Sequence, residues 1–208
     1  MSNNVERRRA ITAEDLANIA VFAALTAALS VLPGIPLGTA GVPLTLQTLA
    51  VFLTGLVLGG TRGLLAVALY VLVGLIGVPV FAGFRGGLGV LAGPSAGYIL
   101  AFPFAAAAAG YVAQWLIPAR RANDGGATNA RYERTGTYTL RLVAAALAGF
   151  VVIRIGGILG LVVNARLPFE DAFLADLVFW PGDLIKVVLA AIIAVGVHKA
   201  FPRIAGTR

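Results

Sequence analysis

Long, uninterrupted apolar runs decide what this chain can fold into. The hydrocarbon core of a bilayer takes about 20 residues of α-helix to cross. On that measure the apolar segments place helices at about 14–32, 44–60, 63–79, 96–117, 140–163 and 173–198. A membrane β-barrel would instead need segments of about ten residues alternating in polarity, and these runs are continuous. Composition points the same way: 59% of residues are hydrophobic, 12% are charged, and mean hydropathy is +0.92. A soluble domain carries about 45–50% apolar and about 25% charged residues. The expectation is one all-α integral membrane domain over residues 1–208, a six-helix bundle with both termini cytoplasmic.

Charge placement sets the orientation. With the N-terminus inside, the inner side collects Arg7, Arg8, Arg9, Arg62, Arg120, Arg121, Arg131, Arg134, Arg141, Lys199, Arg203 and Arg208. The outer side keeps Arg85 and Arg166 and gains Glu170 and Asp171, which is the positive-inside pattern. Residues 1–13 then form a cytoplasmic segment and 119–138 a polar cytoplasmic loop. The net charge of +7 serves topology rather than nucleic acid, since no basic run is interleaved with exposed aromatics. Arg7–Arg9 ahead of an apolar run resembles a signal peptide, but Leu16–Leu32 exceeds an h-region of about 7–15 residues. No convincing repeat relates the two halves, so an inverted-repeat transporter is not expected.

Within this apolar chain, residues 86–100 carry five glycines and a proline. Irregular backbone at membrane depth is tolerated where protein buries it or where it lines a cavity. The stretch therefore reads as the wall or roof of a binding site, with Arg85 beside it and Tyr98 offering a flat face with a polar tip. Gly87-x-Gly89-x-x-Ala92 nominally matches a dinucleotide fingerprint, but that motif needs a strand before it and a βαβ unit around it.

Two cations lie where topology does not ask for them: Arg154 in the fifth helix and Lys186 in the sixth. An ionisable residue at membrane depth costs at least about 2.5–3.5 kcal/mol, so it reads as functional by default. Both fall about 15 Å from the outer helix ends at about 1.5 Å per residue. Asp183 shares a helical face with Lys186, three residues on, and Asp176 lies one heptad earlier. An Asp183–Lys186 pair that merely holds helices together is one reading. Against it, Arg154, Asp183 and Lys186 sum to +1, which an anionic ligand such as a carboxylate would balance. Pro181-Gly182 is expected to break the last helix just before Asp183, or simply to kink it.

Other features are less specific. Ala20, Ala24 and Ala28 recur every four residues in the first helix, a spacing that lets another helix pack closely, whether a partner's or a neighbour within the fold. Gly55-x-x-x-Gly59 and Gly156-x-x-x-Gly160 repeat that pattern. His198, the lone histidine, reads as an interfacial residue. With no cysteine, no metal-ligand spacing, no nucleophile elbow and no phosphate loop, neither a metal nor another cofactor is expected, and the chain is not expected to hydrolyse ATP by itself. An intramembrane enzyme using Asp183 and Arg154 as acid–base groups is the reading from a different class.

Several segments together resemble one family: Gly41–Val51 around Gln47, Tyr70–Ala82, Gly93-Pro94-Ser95-Ala96-Gly97-Tyr98, and Pro181-Gly182-Asp183-x-x-Lys186. In this order they are similar to the BioY family, the biotin-binding membrane subunits of bacterial energy-coupling-factor (ECF) transporters. The resemblance covers residues 16–200. It implies a six-helix bundle in the bacterial plasma membrane, not an enzyme, that binds biotin near the outer surface. It also implies partners, a transmembrane coupling subunit and two cytosolic ATPases, docking on the small-residue face formed by Ala20, Ala24 and Ala28. Asp183 and Lys186 match the family's acid and lysine, and Gln47, Gly87, Gly93, Ser95 and Tyr98 match positions around the ligand. Arg154, Lys186 or Arg85 would pair the biotin carboxylate. A related subunit for another vitamin remains the alternative. Ser95-Ala96 replaces the commoner Thr-Gly, and the 119–138 loop is unusually long.

Overall fold

The computed structural model describes residues 11–36, 41–117 and 135–201. Most of the expected N-terminal segment, most of the 119–138 loop and Arg7–Arg9, Arg120, Arg121, Arg131, Arg134, Arg203 and Arg208 lie outside these residues. The described residues form seven α-helices: α1 Ala13–Val31, α2 Gln47–Leu58, α3 Gly60–Leu75, α4 Ala96–Leu116, α5 Thr135–Asn164, α6 Phe169–Leu177 and α7 Trp180–Ala200. A two-residue ribbon, β1 Ile35–Pro36 against β2 Pro43–Leu44, closes the α1–α2 connection. A short 3-10 helix, Leu88–Ala92, lies within the glycine stretch. Helices α1, α4, α5 and α7 are long and apolar enough to cross a membrane, while α2 and α3 are shorter apolar helices.

The expected sixth helix is the main correction. Residues 169–200 form two helices, with the break at Val178-Phe179 rather than at Pro181-Gly182. Pro181 sits in the first turn of α7, where a missing N–H costs nothing and the fixed φ suits helix initiation. Proline therefore starts this helix instead of breaking it. The expected gap between the helices at 44–60 and 63–79 also closes up: Gly59 alone turns the chain at φ +82°, and α3 begins at Gly60. Helix α5 starts earlier than expected, so Thr135–Tyr138 are helical rather than loop.

Helix α2 is the hub. All its residues except Leu49 are buried, as a helix apolar on every side should be, and α1, α3, α4, α5 and α7 all pack on it. The α4–α5 contact is the most extensive in the bundle. Its cause is a backbone approach: a Cβ on Gly97 would sit 2.6 Å from Gly160 Cα and 2.2 Å from Gly156 O. The Gly156–Gly160 motif is thus used inside the fold, and Gly55 likewise abuts Ala106 of α4.

Side-chain contacts define two poles. At one, Arg62 of α3 pairs with Asp15 of α1 at 2.7 Å, Thr61 meets Tyr111 of α4 at 3.0 Å, and Tyr138 of α5 meets His198 of α7 at 2.8 Å. His198 is buried there, in the last turn of α7. Thr12 and Asp15 close a capping box that starts α1 at this pole. At the other pole the 76–95 segment, α6 and the first turn of α7 gather, and Asn164 at the end of α5 donates to Leu91 O at 2.8 Å and Gly93 O at 3.1 Å.

Candidate functional site

A cavity open to solvent lies at this second pole, with about 510 Å³ of empty space counted together with its open mouth. Its wall draws on the α1–α2 connection (Val42 to Thr45), on Phe81, Ala82 and Arg85 before the glycine stretch, and on α4, α5 and α7. Gln47, Arg85, Ser95, Tyr98, Arg154, Asp183 and Lys186 all line it.

Its floor is a closed ionic network. Arg154 Nη2 donates to Asp183 Oδ2 at 2.7 Å, and Lys186 Nζ donates to Asp183 Oδ1 at 2.7 Å. Lys186 Nζ also donates to Thr45 O at 2.6 Å and Thr48 Oγ1 at 3.2 Å, while Thr48 Oγ1 donates to Asp183 Oδ1 at 2.8 Å. Behind the floor, Asp176 of α6 is fully buried and accepts from Arg154 Nη1 at 3.0 Å, Tyr98 Oη at 2.7 Å and Trp180 Nε1 at 2.9 Å. Two cations thus face two carboxylates. The expected excess of one positive charge is wrong, because it left out Asp176, and the network is neutral as it stands.

The helix break explains the geometry. Asp176 ends α6 and Asp183 opens α7, so the turn at Val178-Phe179 lets both carboxylates face Arg154 from different helices. Asp183 also gains from the positive end of the α7 dipole. Lys186, six residues from the start of α7, lies about 9 Å in at about 1.5 Å per residue, shallower than the sequence implied. The Arg154 guanidinium is held between aromatic faces, 5.5 Å from the Tyr98 ring centroid and 5.2 Å from that of Phe150. Tyr98 comes that close because Gly157 has no Cβ: one there would fall 2.0 Å from the ring.

Ser95 and Arg154 both line the cavity, and one polar atom of each, Ser95 Oγ and Arg154 Nε, is buried with no partner among the described residues. Each can donate to a ligand acceptor. The rim is different. Arg85 is exposed, its Nε donates to Ala82 O at 3.1 Å, and no carboxylate among the described residues pairs with it. It ends a tight hairpin, Phe81 N–H to Arg85 O at 3.0 Å and Arg85 N–H to Phe81 O at 3.3 Å, in which Phe84 takes a left-handed φ of 56°. Between rim and floor the wall is apolar, including Phe81, Phe102 and Phe179.

Gly87 and Gly93 do not line the cavity. Gly87, at φ +85°, ties the loop to α3 by donating to Gly74 O at 2.7 Å, and Gly93 O accepts from Asn164. They act from behind. The sequence reading does not single out as site residues Thr45 and Thr48, which line the cavity, or Asp176 and Asn164, which hold its parts from behind. Thr48 stood in view beside Gln47, whereas the role of Asp176 depends on a helix break that no sequence signal marks. Ala20, Ala24 and Ala28 are exposed on the outward face of α1 while Ile19, Ala23, Thr26 and Ser30 point inward.

The comparisons agree with this geometry. The model of the BioY family matches residues 1–203. The biotin transporter BioY of Rhizobium etli is 38% identical over 192 residues, covering 92% of this chain and 97% of that protein. The biotin transporter BioY of Rhodobacter capsulatus is 42% identical, covering 85% of this chain and 88% of its own. Among solved structures, the S-component for biotin from an ECF-type ABC transporter superposes with a TM-score of 0.77 at 28% identity, covering 96% of this chain and 95% of that one. Sequence, fold and site geometry converge, and the chain belongs to the BioY family.

Proposed function

We infer that this chain is the substrate-binding membrane subunit for biotin uptake, a transporter component and not an enzyme. The observation that carries the reading is the contrast along one cavity. Its floor is polar but electrically closed, its wall is apolar, and its rim holds Arg85, a cation that no carboxylate among the described residues pairs. Biotin has the matching sequence of parts: a neutral ureido ring, an apolar ring and chain, and a terminal carboxylate.

The ureido ring goes to the floor. Asp183 already accepts three hydrogen bonds, and a carboxylate has about four acceptor sites, which leaves room for a ureido N–H. Ser95 Oγ and Arg154 Nε supply donors for the ureido oxygen. The carboxylate goes to Arg85, since Lys186 and Arg154 are each already matched by a buried acid. Tyr98 stacks its face toward the same space.

Six passes, α1 to α5 and α7, cross the bacterial plasma membrane with both termini inside, and α6 is too short to cross. The basic inner pattern in the sequence and the common pole shared by the start of α1 and the end of α7 support this. The cavity then opens outward. The exposed Ala20, Ala24 and Ala28 stripe offers a flat surface on which a coupling subunit, itself bound to two cytosolic ATPases, would dock by close helix packing. Purified protein is expected to bind biotin saturably, and Asp183→Asn or Lys186→Ala to weaken it tenfold or more, about 1.4 kcal/mol. Unchanged affinity in both variants would rule out this floor as the site.

A further inference from the structure

One polar cluster of the bundle is not explained by the ionic floor. Tyr70 of α3 is 1% exposed and does not line the cavity. Yet its hydroxyl meets three groups from three other segments: Ser30 Oγ of α1 at 2.9 Å, the Gln47 carboxamide nitrogen of α2, and Val80 O at 3.4 Å. A phenol has one proton to give and two lone pairs to receive. All three contacts are used at once in a single arrangement: Ser30 and Gln47 donate to Tyr70, and Tyr70 donates to Val80 O. Reversing the Gln47 amide would turn the Tyr70 proton toward Gln47 and leave Val80 O without it.

That arrangement has a consequence for the cavity. With its nitrogen held by Tyr70, Gln47 turns its oxygen the other way, toward Thr45 Oγ1 at 3.4 Å on the cavity wall. An amide oxygen accepts and cannot donate. We propose that Tyr70 is a positioning residue that fixes the Gln47 carboxamide with its acceptor toward the cavity, and so selects ligands that present an N–H there. The Tyr70 ring is itself held edge-on to Phe81 with centroids 5.5 Å apart, so the hydroxyl has little freedom to follow a rotating amide. The inference rests on the biotin reading above, because the ureido ring supplies the N–H groups.

The test is a double-mutant cycle read with three ligands: biotin and its two isomers methylated on one or the other ureido nitrogen. Native protein is expected to prefer biotin over at least one methylated isomer by tenfold or more. Tyr70→Phe should cut that preference to under threefold. In a Gln47→Met background, adding Tyr70→Phe should change affinity by less than twofold, since Tyr70 acts through Gln47. Ser30→Ala removes a buried hydrogen bond from the same hydroxyl and serves as the structural comparison: it should lower thermal stability while keeping the native preference. Additive losses in the cycle, or a preference that survives Tyr70→Phe, would overturn the proposal. Should Tyr70→Phe fail to fold, Gln47→Met alone must lose the preference and Gln47→Glu, which keeps an acceptor, must retain it; the opposite result overturns the proposal. Native protein that binds none of the three ligands would defeat the biotin reading instead, which keeps the two failures distinct.

Discussion

The two poles of the bundle hold ion pairs of the same chemistry in different settings. Asp15 and Arg62 meet at 2.7 Å with side chains 11% and 19% exposed. Arg154, Asp176, Asp183 and Lys186 meet at 2.7–3.0 Å with side chains between 0% and 8% exposed. Near solvent, water competes for both partners and the pair contributes little. Away from solvent, each charge depends on its partners, because removing one strands another in low dielectric. The first pair ties two helix ends; the second network forms the floor of the cavity.

Three substitutions probe that contrast. Asp176→Ala should have the largest effect. It leaves two buried cations sharing the single carboxylate of Asp183 and removes the acceptor of Tyr98 and Trp180, and a buried pair broken in this way costs about 3–5 kcal/mol. A large drop in melting temperature of the purified protein is expected, with biotin binding abolished. A melting temperature within a few degrees of native would show that Asp176 is not a structural counter-charge. Arg85→Ala comes next, leaving the fold intact. Biotin affinity should fall about tenfold, about 1.4 kcal/mol, whereas the methyl ester of biotin, which lacks the charge, should bind both proteins equally. Equal loss for acid and ester would move the carboxylate elsewhere. Arg62→Ala should be the mildest, within about 1 kcal/mol, with biotin affinity unchanged. A loss as large as that of Asp176→Ala would erase the distinction between the poles.

Much of this was legible in the sequence because membrane constraints are severe. Apolar length located the helices, and Gly, Pro and depth of charge located Ser95, Tyr98, Arg154, Asp183 and Lys186 on what became a single cavity. What failed were inferences that needed three dimensions. Pro181 carries the same sequence signature whether it breaks a helix or begins one, and only the Val178-Phe179 turn tells which. Summing charges over Arg154, Asp183 and Lys186 missed Asp176, seven residues upstream on what turned out to be a separate helix. Gly87 and Gly93 lie in the expected stretch but outside the cavity lining, since backbone that holds a wall and backbone that forms one have the same composition.

The Gly97–Gly160 contact has a mechanical consequence. Side chains packed between helices can change rotamer and let one helix slide over another, whereas main chain resting on main chain has no such slack. With Gly156 and Gly160 against Gly97, α4 and α5 form a single stiff plank, and Ser95, Tyr98 and Arg154 ride on it as a fixed half of the cavity. Any widening of the cavity is therefore expected in the other half: the short ribbon that ends at Leu44, just before Thr45, and the hairpin that carries Arg85.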